Sequence, residues 1–547
     1  MSSSSSAERL EESPASSDEG AQEGRLKRTV AHGARSGANA GRDSGSLKQS
    51  LDGNAEGRPR REKFFSFQNR VTRELFQLAW PIAAAMLGET AIGLVDTKLV
   101  GGLGAAALGG VGLATTLMYL AYSLAFGSMR GVKVRVAHAI GEGHPEHAFA
   151  YARAGLVMGG AFGVVVLLVC RDVSPLLLRL GADPEIVPYA RDFLAAVTLG
   201  APPTCALSAL IQHRQASGDS RTPMIVGIAG NLFNALFAWT LIYGHFGMPA
   251  LGVRGAGYST ATTEMLELAV MLALLLRDER RAGIGNDATH TRLTFGRALH
   301  GVCDLGLPTG IQFTAETLAF TAFTVVLGSI SKEEIAAHQI ALNVIRVSFL
   351  PGIAVAEAAS VLVGRALGRR RLDEADAAVR SALVLAVGFM AICGLAFALF
   401  GGFLGRFFST DPAVVAEARL LLLIAAVFQV LDAVNIVLRG ALRGAKDVRV
   451  VMVLGVFVVW TFLPTSAYLL GKLCGLGAVG GWIGFIGETT VGAALFWLRW
   501  KRGSWRAVYA RASKQVKPSG RENRRASGAR LTRRVGRRTG PSAWAKL

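Results

Sequence analysis

Charge is what most of this chain lacks. Only 18% of its 547 residues are Asp, Glu, Lys or Arg, while 51% are hydrophobic. The charged residues gather in a few places and leave long segments nearly free of them, which is too apolar for an ordinary soluble protein. Cysteine is scarce as well. The five residues, Cys170, Cys205, Cys303, Cys393 and Cys474, lie mostly in apolar segments, with no CxxC pair and no His-rich neighbourhood. That argues against a disulfide framework or a thiolate metal site and leaves them as small packing residues. No Walker A pattern occurs and no separate soluble domain is visible, so ATP drive has no support. The loose fingerprint Gly102-Leu-Gly104-Ala-Ala-Ala107 has no strand before it and no βαβ unit around it, so its small residues read as helix packing rather than dinucleotide binding. An enzyme is not expected, and no cofactor.

What the chain does have is apolar runs of about 20 residues, the length that crosses roughly 30 Å of hydrocarbon. They predict twelve spans, near 74–95, 105–138, 148–170, 190–212, 224–245 and 255–276, then 301–329, 335–363, 376–404, 415–438, 449–471 and 477–499. The 65 glycines suit helices that pack closely without a hydrophobic force between them. The expectation is an all-α polytopic membrane protein with a domain order of five parts. Residues 1–65 form a polar, disordered tail without a secretory signal; 66–280 form one six-helix bundle; 281–300 link it to a second over 301–500; and 501–547 form a basic tail. The net charge of +20 is uneven, with sixteen Lys/Arg against one acid, Glu522, over residues 499–547. Directly after a membrane helix such a tail is expected to rest on anionic lipid, not on nucleic acid. The connections after even spans are basic, as at His138–His147, His213–Arg221, Arg365–Arg371 and Arg439–Arg449, so the positive-inside rule puts both termini in the cytoplasm; a monomer in the inner (cytoplasmic) membrane of the cell is expected.

The two halves repeat. The sequence numbers of Pro81 and Pro308, Glu89 and Glu316, Gly141 and Gly368, and Ala148 and Ala375 all differ by 227; those of Gly218 and Gly444 differ by 226, and the Leu-Gly-x-x-Gly motifs at Leu251 and Leu476 by 225. Six spans followed by six in the same orientation predict two pseudo-symmetric bundles about an axis along the membrane normal. That construction belongs to alternating-access transporters with a site near the repeat interface.

The acids inside the spans carry the chemistry. A carboxylate at mid-membrane costs roughly 2.5–3.5 kcal/mol on insertion scales, so it is rarely incidental. Asp96 follows Glu89 by about two helical turns, which puts both on one face. Glu316 belongs to the repeated Pro-to-Glu-Thr pattern, and Asp432 lies within span 10. The four are candidates for cation and proton coupling in an antiporter, while Glu264, Glu267 and Glu488 read as interhelical glue. In span 2, Lys133 and Arg135 are expected to snorkel to the cytoplasmic surface. Arg130 is deeper, and its repeat counterpart Glu357 has the opposite sign, which predicts a pair closing the cytoplasmic side.

These residues resemble the MATE (multidrug and toxic compound extrusion) family, in its NorM-like branch. The resemblance covers about residues 72–505. It rests on Pro81, Val95-Asp96-Thr97, Gly141 to Ala148, Asn231 with Asn234, Gly306-Leu-Pro308 through Glu316, Ala336-Ala-His-Gln-Ile340, and Gln429-Val-Leu-Asp432 continuing to Leu442-Arg-Gly-Ala-Lys-Asp447. It implies export of small organic, often cationic compounds driven by Na⁺ or H⁺. The family's acids fall on Asp96, Glu316 and Asp432, with Na⁺ expected at Glu316 and Asp432. Asn231, Asn234, Gln312, Gln429 and Asn435 are expected to line the substrate cavity. Glu89, Arg130, Lys133 and Arg346 depart from the family in adding charge. Two other functions remain open from the sequence: a flippase or exporter of a lipid-linked or anionic envelope precursor, and a non-transporting sensor or scaffold.

Overall fold

A computed structural model describes residues 57–179, 181–283 and 293–506. The N-terminal tail up to residue 56, residues 284–292 of the linker and the C-terminal tail beyond residue 506 lie outside the described residues. The architecture that follows is that of the described residues from Lys63 onward. Twelve helices among the described residues are long and apolar enough to cross a membrane. They are α1 (Gln68–Gly101), α2 (Ala105–Glu142), α3 (Pro145–Cys170), α4 (Val187–Ser217), α5 (Arg221–Tyr243), α6 (Val253–Arg281), α7 (Phe295–Gly328), α8 (Lys332–Gly368), α9 (Leu372–Phe408), α10 (Pro412–Gly444), α11 (Val448–Leu473) and α12 (Gly477–Arg506). No strand occurs among these residues. The twelve expected spans are all present, several of them longer than their apolar cores.

Local chemistry sets the ends and breaks. Ser331 caps α8 by accepting from the Glu334 amide at 3.1 Å. Asp411 caps α10 through the Ala413 amide at 2.8 Å, with Pro412 at the first helical position, where its missing donor costs nothing. Pro81, Pro308, Pro351 and Pro464 lie inside helices, each removing one backbone bond that a membrane helix must otherwise keep. Pro81 and Pro308 are the repeat-related pair, and α11 goes over to a wider π turn at Ala467–Leu473 just after Pro464.

The repeat is visible in the backbone. At the end of α2 the His144 amide bonds Ala139 O at 2.9 Å and the Gly143 amide bonds Ile140 O at 3.2 Å. At the matching positions of the second half, Arg371 bonds Ala366 O at 2.9 Å and Arg370 bonds Leu367 O at 2.9 Å. Gly143 and Arg370 are both left-handed, at φ of 84° and 60°. Helix pairing follows the same symmetry. The α2–α3, α2–α4, α3–α4, α4–α6 and α5–α6 contacts of one lobe reappear in the other as α8–α9, α8–α10, α9–α10, α10–α12 and α11–α12.

The lobes share a core at one end only. One large cluster runs from Leu75 and Met129 through Ala209 and Val302 to Val363, Leu442 and Trp500, joining helices of both lobes at the end where α1 begins and α12 stops. At the opposite end the core is split: Ala107, Met118, Leu194 and Ile242 belong to the N-terminal lobe alone, and Phe323, Phe428, Trp482 and Phe485 to the C-terminal lobe alone. The shared end also carries the basic connections. There α2 and α8 meet through glycine. A Cβ on Gly141 would collide with Arg365 O, and one on Gly368 would lie 2.5 Å from His138 O. Since His138 and Arg365 are themselves repeat partners, the contact is reciprocal and the pseudo-two-fold axis passes through it.

Candidate functional site

In the N-terminal lobe, a spacing of two helical turns brings Asp96 and Glu89 to the same side of α1. Asn234 of α5 donates through Nδ2 to both Asp96 oxygens at 3.2 Å. Ser259 of α6 fixes that amide by donating to Asn234 Oδ1 at 2.8 Å, so the amide can present only its donor to the acid. One turn earlier on α5, Asn231 packs beside Gly88. Glu89 lies within electrostatic reach of Tyr119 on α2 and of Glu264 and Glu267 on α6. None of the ion pairs among the described residues involves Glu89, Asp96, Glu264 or Glu267.

The C-terminal lobe is arranged differently. Glu316 on α7 meets Arg439 of α10, whose Nη1 lies 2.9 Å away, and the other terminal nitrogen of Arg439 lies 3.0 Å from Glu488 on α12. Asn435 also donates to Glu488, at 3.3 Å, and Asp432 lies close enough to interact with Glu316, Glu488 and Arg439. Gln312 donates to Glu316 at 2.8 Å and accepts from Arg443 at 3.4 Å. This cluster fits only because α11 offers no side chain at Gly455, where a Cβ would stand 2.7 Å from Gln312 Nε2 and 3.0 Å from Glu316 Oε1. Glu488 is thus the interhelical link expected from sequence.

Between the lobes, Arg130 Nε lies 3.2 Å from Glu357 Oε1, so the pair anticipated across the repeat forms. Lys133 does not snorkel. It is 2% exposed and donates to the other Glu357 oxygen at 2.7 Å, because a buried carboxylate is nearer than the surface. Arg135 reaches the neighbouring lobe nearer the surface, bonding Gly301 O at 2.8 Å and Asp304 at 3.4 Å, an acid it shares with the exposed Arg449. Arg130, Lys133, Thr309, Glu357, Ser360 and Arg443 line one small cavity. Beside it, Arg130 stacks over the Phe313 ring at 5.0 Å, and Phe313 packs edge-on against Tyr119 at 6.5 Å. Arg346 is exposed on α8 with its charge in reach of the same tyrosine.

Of the residues expected to line a substrate cavity, Asn234 bonds Asp96, Gln312 bonds Glu316 and Asn435 bonds Glu488. Asn234, Gln312, Gln429 and Asn435 are buried. Gln429 accepts from Ser348 and donates to Met390 O inside the C-terminal lobe, and of the five only Asn231 is half-buried. The basic turn expected over Arg439–Arg449 starts later than the sequence predicts, since α10 runs to Gly444 and holds Arg439 as a buried residue. Arg439 therefore escapes sequence reasoning as a site residue, although it follows Asp432 by two turns on the same helix face. Among the described residues, one group has metal-ligand spacing: His144, Glu146 and His147, with ligand atoms within 4.8 Å of one another at the start of α3, apart from the carboxylates.

The MatE family model matches the chain twice, over residues 81–240 and 308–467, two segments whose starting points are separated by the repeat offset itself. Among curated relatives, one from Xanthomonas campestris, named "Probable multidrug resistance protein NorM", is 33% identical over 442 residues, covering 78% of this chain and 93% of the relative. One of the same name from Brucella suis is 30% identical over 455 residues, covering 81% and 96%. In fold, the chain is similar to a MOP-superfamily transporter from Pyrococcus furiosus, with a TM-score of 0.71 at 21% identity over 80% of this chain and 96% of that one. It is equally similar to the MATE transporter VcmN of Vibrio cholerae, with a TM-score of 0.71 at 19% identity over 81% and 99%. The doubled match falls on the two halves whose backbone turns and helix pairings coincide, and the chain belongs to the MatE family of multi-pass membrane transporters.

Proposed function

We propose that this protein exports small organic compounds, cationic or amphipathic, in exchange for an inward-moving cation, Na⁺ or H⁺, by exposing an inter-lobe cleft alternately to the two sides of the bacterial inner membrane. The observation that carries this reading is the hydrophobic core, shared at the basic end and split at the other, with carboxylates placed along the spans that flank the split. The positive-inside rule assigns the basic, closed end to the cytoplasm. The names of the NorM relatives add multidrug substrates. Asp96, held by Asn234, and Glu89 serve as cation acceptors in the N-terminal lobe, and the Tyr119–Phe313 pair offers aromatic faces to a planar cargo. A cation entering down a membrane potential gains about 2.3 kcal/mol per 100 mV, enough for a better than tenfold gradient of a neutral cargo. The test is efflux of an ethidium-like dye from proteoliposomes with a Na⁺ or a H⁺ gradient imposed separately. Asp96→Asn is expected to slow cation-driven efflux about tenfold or more, and an unchanged rate would remove the carboxylate mechanism.

One observation favours a second reading. Arg130, Lys133 and Arg443 surround Glu357 in the inter-lobe seam, a lining that suits a cargo bearing a carboxylate or phosphate. Running anionic dyes beside cationic ones in the same vesicles separates the two.

A further inference from the structure

The two lobes carry the same acids in different electrostatic settings. Glu89 and Glu316 are repeat partners, and Glu264 stands next to the counterpart of Glu488 at the offset of the Leu251 and Leu476 motifs. In the C-terminal lobe the two acids are joined by one guanidinium, with Arg439 Nη1 on Glu316 at 2.9 Å and Nη2 on Glu488 at 3.0 Å. Nothing equivalent exists among the described residues of the N-terminal lobe. At the 226 offset that relates Gly218 to Gly444, the counterpart of Arg439 is His213, and its ring packs on Phe149 of α3 with centroids 5.7 Å apart.

We infer that Arg439 is the resident cation of the C-terminal lobe: it fills by a tethered charge the position between Glu316 and Glu488 that a free Na⁺ would take, so the exchangeable cation of the cycle binds only in the N-terminal lobe. The geometry carries this directly. A carboxylate already bonded to a guanidinium at 2.9 Å has spent its best lone pair on a charge-assisted bond. A Na⁺ arriving there would have to displace an arginine that is buried and has no water to retreat to. Arg439 is further held over the Phe496 ring at 5.4 Å, which fixes the head group from a third side. Asp432 and Asn435 complete the cluster on the same helix as Arg439, so the lobe is built around a cation that never leaves the protein. The inference rests on the antiport reading, but its test does not.

Equilibrium binding of radioactive sodium to the purified full-length protein in detergent decides the matter without transport. Wild type and Glu316→Gln are expected to bind Na⁺ with affinities within about twofold of each other. Arg439→Gln is expected to gain one further Na⁺ per chain, and adding Glu316→Gln is expected to abolish that gain. Arg439→Lys keeps a tethered cation and is expected to gain none, which a purely structural role for the arginine would not explain. The inference is overturned if Glu316→Gln weakens wild-type Na⁺ binding by about tenfold, or if folded Arg439→Gln gains no site. Should Arg439→Gln fail to fold, the wild-type and Glu316→Gln comparison stands alone as the test. Absence of cation-driven efflux by wild-type vesicles would instead sink the antiport reading and leave the binding result intact.

Discussion

Glu357 is the residue on which the seam between the lobes turns, since it accepts from Lys133 at 2.7 Å and lies 3.2 Å from Arg130. Removing one partner of a buried ion group leaves the others desolvated and unpaired, at a cost of about 3–5 kcal/mol. Glu357→Gln is therefore expected to lower thermal stability in detergent markedly, and an unchanged unfolding temperature would count against a buried triad. A simple charge swap is expected to fail: in Arg130→Glu with Glu357→Arg, the new arginine faces Lys133. Efflux lost in each single variant should not return in the double, but should recover in part when Lys133→Gln is added; recovery in the double alone would mean that Lys133 plays no part. The pair itself is legible in the sequence, because opposite charges stand at equivalent positions of the two repeats. Lys133 is not, since a lysine near a helix end reads equally well as snorkelling, and only the position of an acid on another helix decides. Arg439 is hidden for a related reason. A basic residue near the end of an apolar run marks the membrane surface in most sequences, and nothing local distinguishes one that continues the helix and pairs with acids on α7 and α12.

Helices extend further than their apolar cores. The first span is expected over 74–95 and runs over Gln68–Gly101, because backbone bonding continues through polar residues once the helix has begun, while hydropathy marks only the part in hydrocarbon. Packing between helices is legible as composition: abundant glycine predicts close approach, and the repeat offset names Gly141 and Gly368. Their reciprocal contact is not legible, since sequence gives no partner for a glycine. It carries its own prediction. Gly368→Leu puts a side chain where even a Cβ would meet His138 O at 2.5 Å, so α2 and α8 cannot close as they do. Dye efflux from proteoliposomes is expected to fall about tenfold or more with the protein still inserted; normal efflux would show that this contact is not part of the cycle. The bonds from Gln68 Nε2 to Ser381 Oγ at 2.6 Å and from Arg365 to Ala216 O at 2.7 Å lie at the same end and would be strained with it.

Over its described spans, the molecule is two copies of one six-helix plan that have kept their backbone and diverged in their charges. The duplication is plain in the sequence, because small residues and prolines at helix ends and kinks hold their spacing. The division of the core into a shared end and a split end is not, since it depends on which helices of the two lobes touch. Transport by this reading resides in residues 68–506, so truncation after Arg506 is expected to leave dye efflux within about twofold of wild type. A loss of transport with normal insertion would point to the sensor or scaffold alternative, in which the basic tail does the work.

The glycine contact between α2 and α8 also says something about how such a machine would move. Lying on the axis that relates the lobes and made of backbone, it would serve as a fulcrum with no side chain that could yield by changing rotamer. Rolling the lobes about it would keep the backbone contact, whereas parting them there would expose the core they share. A short way along the same seam, however, Arg130, Lys133 and Glu357 would exchange one another for water if the lobes separate, and a charge that loses its partner before water reaches it is left buried and unpaired, at a cost of about 3–5 kcal/mol. The pace of the cycle would then depend on the wetting of three side chains as well as on opening the shared core, and salts or solvents that alter the hydration of charges are expected to change turnover.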